Sequence, residues 1–153
     1  MKTFVAVVAL VLSLAACSSP VPFASSWEEA WGPNFPQPKP GEAALYILRD
    51  AAPEGTPPIN MTIGRRPVGG LASLTWMRFD LQPRLYDLRA FGTQTGSELI
   101  ITVDPGQTRF MQVEHKEPGS AEILEISPRD GRRLVRQGQH VMEMNEPPRF
   151  SRE

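Results

Sequence analysis

A single cysteine, Cys17, stands in 153 residues, so no disulfide can form within one chain. The two histidines, His115 and His140, lack the spacing of a paired-histidine metal motif. No His-Glu-x-x-His, no Gly-x-Ser-x-Gly elbow and no phosphate-binding Gly-Lys-Ser/Thr loop occurs. There is no basic surplus, since 16 Lys and Arg face 17 Asp and Glu. That balance argues against a dedicated nucleic-acid binder. Long helical periodicity between apolar runs is also missing, which excludes a parallel βαβ architecture. No apolar run reaches the roughly 20 residues of a membrane span.

What is present begins at the N-terminus. Lys2 precedes an apolar stretch from Phe4 to Ala16 that only Ser13 interrupts, and Leu14-Ala15-Ala16 leads into Cys17. A short positive start, an apolar run and small residues at its end describe an export signal. With a cysteine at the cut, the pattern resembles the lipobox of bacterial lipoproteins. The resemblance implies removal of residues 1–16 and lipid on Cys17. It also implies at least two acyl chains there, enough for stable anchoring, whereas one chain binds membranes only marginally. Ser18 and Ser19 follow without an aspartate. In Gram-negative lipoproteins this resembles sorting to the outer membrane, facing the periplasm. The partners so implied are the membrane itself, through the anchor, and a further envelope component.

Cleavage would remove Lys2 and leave 15 basic residues of the 16 against 17 acidic ones, a formal charge of −2. The remaining chain carries all 16 prolines and all 12 glycines, which favours short strands and turns. Residues 17–41 read as a lipidated tether, kept extended by Pro20, Pro22, Pro33, Pro36, Pro38 and Pro40. Within it Trp27 and Trp31 are one helical turn apart. They suit either a membrane-interface or partner-docking turn, or two rings folded back onto the domain.

Residues 42–141 read as one β-domain, followed by a polar tail over 142–153. Ala43 to Arg49 is apolar on both faces, as in a central strand. Ile59–Ile63, Met77–Leu81 and Tyr86–Ala90 alternate apolar and polar residues. Leu99–Val103, Arg109–His115 and Glu122–Ile126 complete the set, and Arg65–Leu71 is a turn-rich connection with room for a short pairing segment. Pro/Gly turns every 8–12 residues or so predict an all-β fold, an antiparallel β-sandwich of about seven strands. One short helix is expected from Pro128 to Gln137, capped by Ser127 and stopped at Gly138, although Gly131 lies inside it.

With these strands placed, residues 42–137 resemble a small domain of unknown function found in bacterial lipoproteins and other exported proteins. The resemblance is carried by Leu45-Tyr46-Ile47-Leu48-Arg49-Asp50 and Val68-Gly69-Gly70-Leu71. It continues in Gln82-Pro83-Arg84 before Tyr86-Asp87-Leu88-Arg89, and in Pro105-Gly106 leading to Phe110. Arg84 stands where that pattern has glycine. The resemblance implies a β-sandwich and transfers no catalytic residue.

The constellation with a clear direction is basic. Arg129, Arg132, Arg133 and Arg136 fall at i, i+3, i+4 and i+7, on one face of the expected helix. That face suits contact with lipid headgroups or an acidic partner, and equally a solvated helix end favoured by the macrodipole. Asp80, Asp87 and Asp104 read as polar strand faces and turn caps before they read as a calcium or acid–base site. No cofactor and no metal site is expected. The leading functional expectation is therefore a non-enzymatic, membrane-anchored envelope lipoprotein acting as an interaction or structural module. A second reading is a carrier of a small apolar ligand or lipid between the sheets, lined by residues such as Trp76, Met77 and Phe79. A third is a hydrolase in which His115 or His140 meets a carboxylate and a hydroxyl in a cleft.

Overall fold

The computed structural model describes residues 21–24 and 32–144. Its centre is β1 (Ala43–Arg49), every residue of which is buried. Ala43, Leu45 and Ile47 point to one side of the sheet, and Ala44, Tyr46 and Leu48 to the other. A strand covered on both faces must be apolar throughout, which is why this segment lacks alternation.

After β1 come β2 (Ile59–Ile63), β3 (Arg66–Leu71), β4 (Thr75–Leu81), β5 (Arg84–Phe91) and β6 (Gly96–Val103). They are followed by β7 (Thr108–Glu114), β8 (Glu122–Glu125), helix α1 (Pro128–Gln137) and the two-residue β9 (Gln139–His140). The strands form two sheets, in the orders β8-β7-β1-β4-β9 and β3-β2-β5-β6. Between them lies the main core. Leu45, Ile47, Met77, Phe79 and Met111 from the first sheet meet Ile59, Met61, Leu88 and Ile101 from the second.

The architecture is therefore mostly β, in two sheets with one short helix, but the sheets are mixed rather than purely antiparallel. β1 runs parallel to β7, with Ala44 opposite Thr108 and Leu48 opposite Gln112. β4 and β9 are also parallel. The reason is connectivity. The chain crosses to the second sheet after β4, then re-enters the first through the Pro105-Gly106 turn beside the start of β1. Gly106 N–H donates to Glu42 O and Ala44 N–H to Gln107 O, at 2.8 Å each. Both strands thus begin at the same end. Apolar spacing encodes which face a residue takes, not the direction of its neighbour. The expected seven strands become nine among the described residues, because Arg66–Leu71 is a full strand and Gln139–His140 adds a short one.

The helix forms over the expected range. Ser127 Oγ accepts the Asp130 N–H at 3.1 Å and donates to the Asp130 carboxylate at 2.6 Å, a reciprocal cap on the first turn. Gly138 N–H closes the other end on Leu134 O. Gly131, Leu134 and Val135 form the buried stripe. They seal a second core of Tyr46, Leu48, Trp76 and Phe110 on the outer face of the first sheet.

Both flanks dock on this body. Phe23 bridges Val141 in antiparallel fashion, Met142 N–H donates to Pro22 O at 2.9 Å, and Val21 is buried in the main core. Part of the stretch expected to be a tether is thus a component of the domain. Of the expected tail, Glu143 pairs with Arg66 and Met144 N–H donates to Val68 O. Residues 145–153 lie outside the described residues, as do the leader, Cys17, Trp27 and Trp31.

Candidate functional site

The basic helix face is assembled as its spacing requires. With Gly131, Leu134 and Val135 turned inward, Arg129, Arg132, Arg133 and Arg136 all face solvent. Among the described residues none of the four enters an ion pair. Arg133 reaches along the helix to Gln137 Oε1 at 3.2 Å.

Two of these arginines have an aromatic floor that spacing alone does not reveal. Phe35 follows a 3-10 turn (Gly32–Asn34) and lies over the helix. The guanidinium carbons of Arg132 and Arg136 sit 5.5 and 5.3 Å from its ring centre. Beneath, Phe35 packs against Tyr46 and Phe110, with ring centres 5.8 and 6.2 Å apart. An exposed cation over a ring is stabilised by about 0.5–1 kcal/mol. The face is therefore a positioned pair of guanidinium groups beside two further cations. A signal for Phe35 existed in the sequence, as an aromatic residue isolated in a proline-rich stretch, but nothing in one dimension tied it to the helix.

The other residues weighed for chemistry are placed as follows. Asp80 accepts from Arg78 at 2.8 Å, Asp87 pairs with Arg89 at 2.7 Å, and Asp104 accepts from Gln107. Each is a partner within a strand or turn. Trp76 belongs to the helix-side core, whereas Met77 and Phe79 belong to the core between the sheets, so the three do not line one cavity. His140 stacks on Trp76 with ring centres 4.1 Å apart.

His115 is set differently. Its Nδ1 donates to the backbone carbonyl of Ser120, because a carbonyl can only accept. Its Nε2 is buried without a hydrogen-bond partner. The ring borders a cavity of about 240 Å³ together with Asp50, Glu114 and Arg49. Arg49 is the buried last residue of β1, only 4% exposed, and burial lowers the pKa of its guanidinium from the ordinary arginine value. In the sequence Arg49 stands at the end of the central strand and within the Leu45–Asp50 motif, with no chemical role implied. A cation closing an otherwise apolar run was the signal that could have marked it.

No protein-family model matches the chain, and no match was found among the curated proteins. The likeness to a lipoprotein domain rests on the motifs quoted above.

Proposed function

We propose that this protein is a bacterial envelope lipoprotein, anchored through Cys17, whose β-rich domain is a non-catalytic interaction module. In this reading the face formed by Arg129, Arg132, Arg133 and Arg136 engages an anionic component of the envelope. One observation carries it. The pairing of Phe23 with Val141 docks residues 21–24 on the segment that follows the basic helix. Cys17 lies four positions before buried Val21, a reach of at most about 14 Å when extended. Acyl chains on Cys17 would then keep the domain, and its arginine face, close to the membrane. Each arginine near an anionic surface contributes about 1 kcal/mol. Tethering raises the local concentration, so weak contacts suffice.

The test is a photo-crosslinker at Gln137, exposed on the same helix, in intact cells. Captured phospholipid and protein are identified by mass spectrometry. Wild-type protein should capture an anionic component. Replacement of all four arginines with glutamine should abolish that product while circular dichroism and lipidation stay unchanged. Equal capture by a folded, lipidated quadruple variant would overturn the reading and leave the stripe as a solvated face.

A further inference from the structure

Where both flanks dock on the second sheet they border a cleft of about 420 Å³. Val21 and Pro22 line it from the N-terminal flank and Met144 from the C-terminal one. Pro57 and Pro58, just ahead of β2, and Phe91, at the end of β5, complete the apolar wall. Gly70 keeps the cleft open, because a Cβ there would come within 3.0 Å of Asn60 Oδ1 and 3.2 Å of Pro58 Cβ. Gly69 makes room for Met144 in the same way, since an added Cβ would lie 3.3 Å from Met144 Cγ. The glycine pair of β3 thus shapes the cleft.

Three properties suit this surface to lipid. None of the described residues that line it is charged, in a chain where 22% of residues are Asp, Glu, Lys or Arg. The cleft beside Arg49, by contrast, also holds Asp50 and Glu114. Its rim is apolar and open, with Phe91 46% and Met144 64% exposed. Much of its backbone needs no water. Pro22, Pro57 and Pro58 have no N–H to desolvate. The N–H groups of Met144 and Gly92 donate to Val68 O and Thr95 O, at 3.1 Å each. Pro22 O accepts from Met142 at 2.9 Å, and Pro57 O from Arg49 at 2.8 Å. Unpaired backbone groups are what makes entry into an apolar phase costly.

The position of the cleft in the chain points to its occupant. Val21, one of its walls, comes four positions after Cys17, a reach of at most about 14 Å. On the reading that Cys17 is acylated, on which this inference rests, the bilayer surface lies within that reach of the cleft. We propose that the rim formed by Pro22, Pro58, Phe91 and Met144 docks into the lipid interface around the anchor, so that the domain stands on the membrane by this end. Interfacial binding grows with the apolar area that enters the boundary between headgroups and acyl chains. Leu85 is exposed to a similar degree, at 61%, but sits at the other end of β5. Six residues of strand separate it from Phe91 by about 20 Å, so Leu85 stays in water.

The test uses the mature protein, extracted from membranes and reconstituted in vesicles of phosphatidylethanolamine and phosphatidylglycerol. A phosphatidylcholine with a diazirine on one acyl chain is the probe. Intact mass is read first: a chain without acyl groups overturns the anchor and this inference together. On the acylated protein, irradiation should place lipid adducts on the peptides containing Pro57-Pro58, Phe91 and Met144, at least about tenfold above the peptide containing Leu85, because only the docked end meets acyl chains. The double variant Phe91→Asp, Met144→Asp alters two exposed side chains. It should keep its acyl groups, its place on the vesicles and its circular dichroism, and lose the adducts at Pro57-Pro58. Equal labelling of the Leu85 and Phe91 peptides would overturn the docking while leaving the anchor in place. So would a cleft without adducts, the result expected if the chain after Met144 or a second copy fills it. A folded double variant labelled like wild type would overturn it as well.

Discussion

Gly131 lies flat against the ring of Phe110: a Cβ added to this glycine would come within 2.3 Å of the ring carbon Cγ. Glycine costs a helix interior about 1 kcal/mol relative to alanine, so its presence in a ten-residue helix needs a reason. The reason is approach. Phe110 is 1% exposed and stacked on Tyr46 at 5.0 Å between ring centres, so it has little room to retreat. Gly131→Ala should therefore destabilise by about 1–3 kcal/mol net, despite its better helix propensity. Urea denaturation of Gly131→Ala, Phe110→Leu and the double variant checks this. The smaller ring-less partner should recover part of the alanine penalty.

The two cores are expected to respond separately. Leu48 lies in the helix-side core and Ile101 between the sheets, and they are 1% and 4% exposed. Truncation of either to alanine should cost about 2–5 kcal/mol, the usual range for a buried aliphatic side chain. The double variant should lose close to the sum of the two effects, because the residues share no cluster. Chemical denaturation of the three variants measures both statements.

Acid should weaken the join between β7 and β8. Arg109 donates to both oxygens of Glu125, at 2.8 and 2.6 Å, and also to the Thr102 carbonyl on β6. The hydrogen bond from Arg109 holds the Glu125 carboxyl below its ordinary value. A depressed folded value means the stabilisation is complete above the unfolded value of about 4.3 and is lost as pH falls through the folded one. Glu125 is about half exposed, so Glu125→Gln should cost less than about 1 kcal/mol at pH 7. The gap between variant and wild type should close below the folded value. Thermal melts from pH 7 to pH 2 follow it.

Processing is checked at Cys17. Intact-mass measurement of the mature chain should show a start at Cys17 with acyl chains attached. Cys17→Ser should abolish acylation and leave the leader uncut. An unmodified thiol on wild-type mature protein would refute the anchor.

The sequence alone determined what depends on local chemistry. Alternation of apolar and polar residues placed the half-buried strands, because the side-chain period of a strand is fixed by the backbone. The uninterrupted apolar run from Ala43 to Leu48 identified the central strand, since only a segment covered on both faces tolerates it. Ser127, Pro128 and Gly138 marked the helix, as caps act within one turn, and the arginine stripe followed from helical spacing. Tertiary structure decided everything that turns on which distant segments meet. The parallel direction of β1 against β7 came from the route of the chain through the second sheet. The docking of Val21 and Phe23, the seat of Phe35 under Arg132 and Arg136, and the fit of Gly131 to Phe110 are contacts between segments far apart in the chain. The cleft that gathers Val21, Phe91 and Met144 is the same kind of product. Each of those residues is ordinary in its own stretch, and they form one apolar surface only where both flanks dock on the sheets.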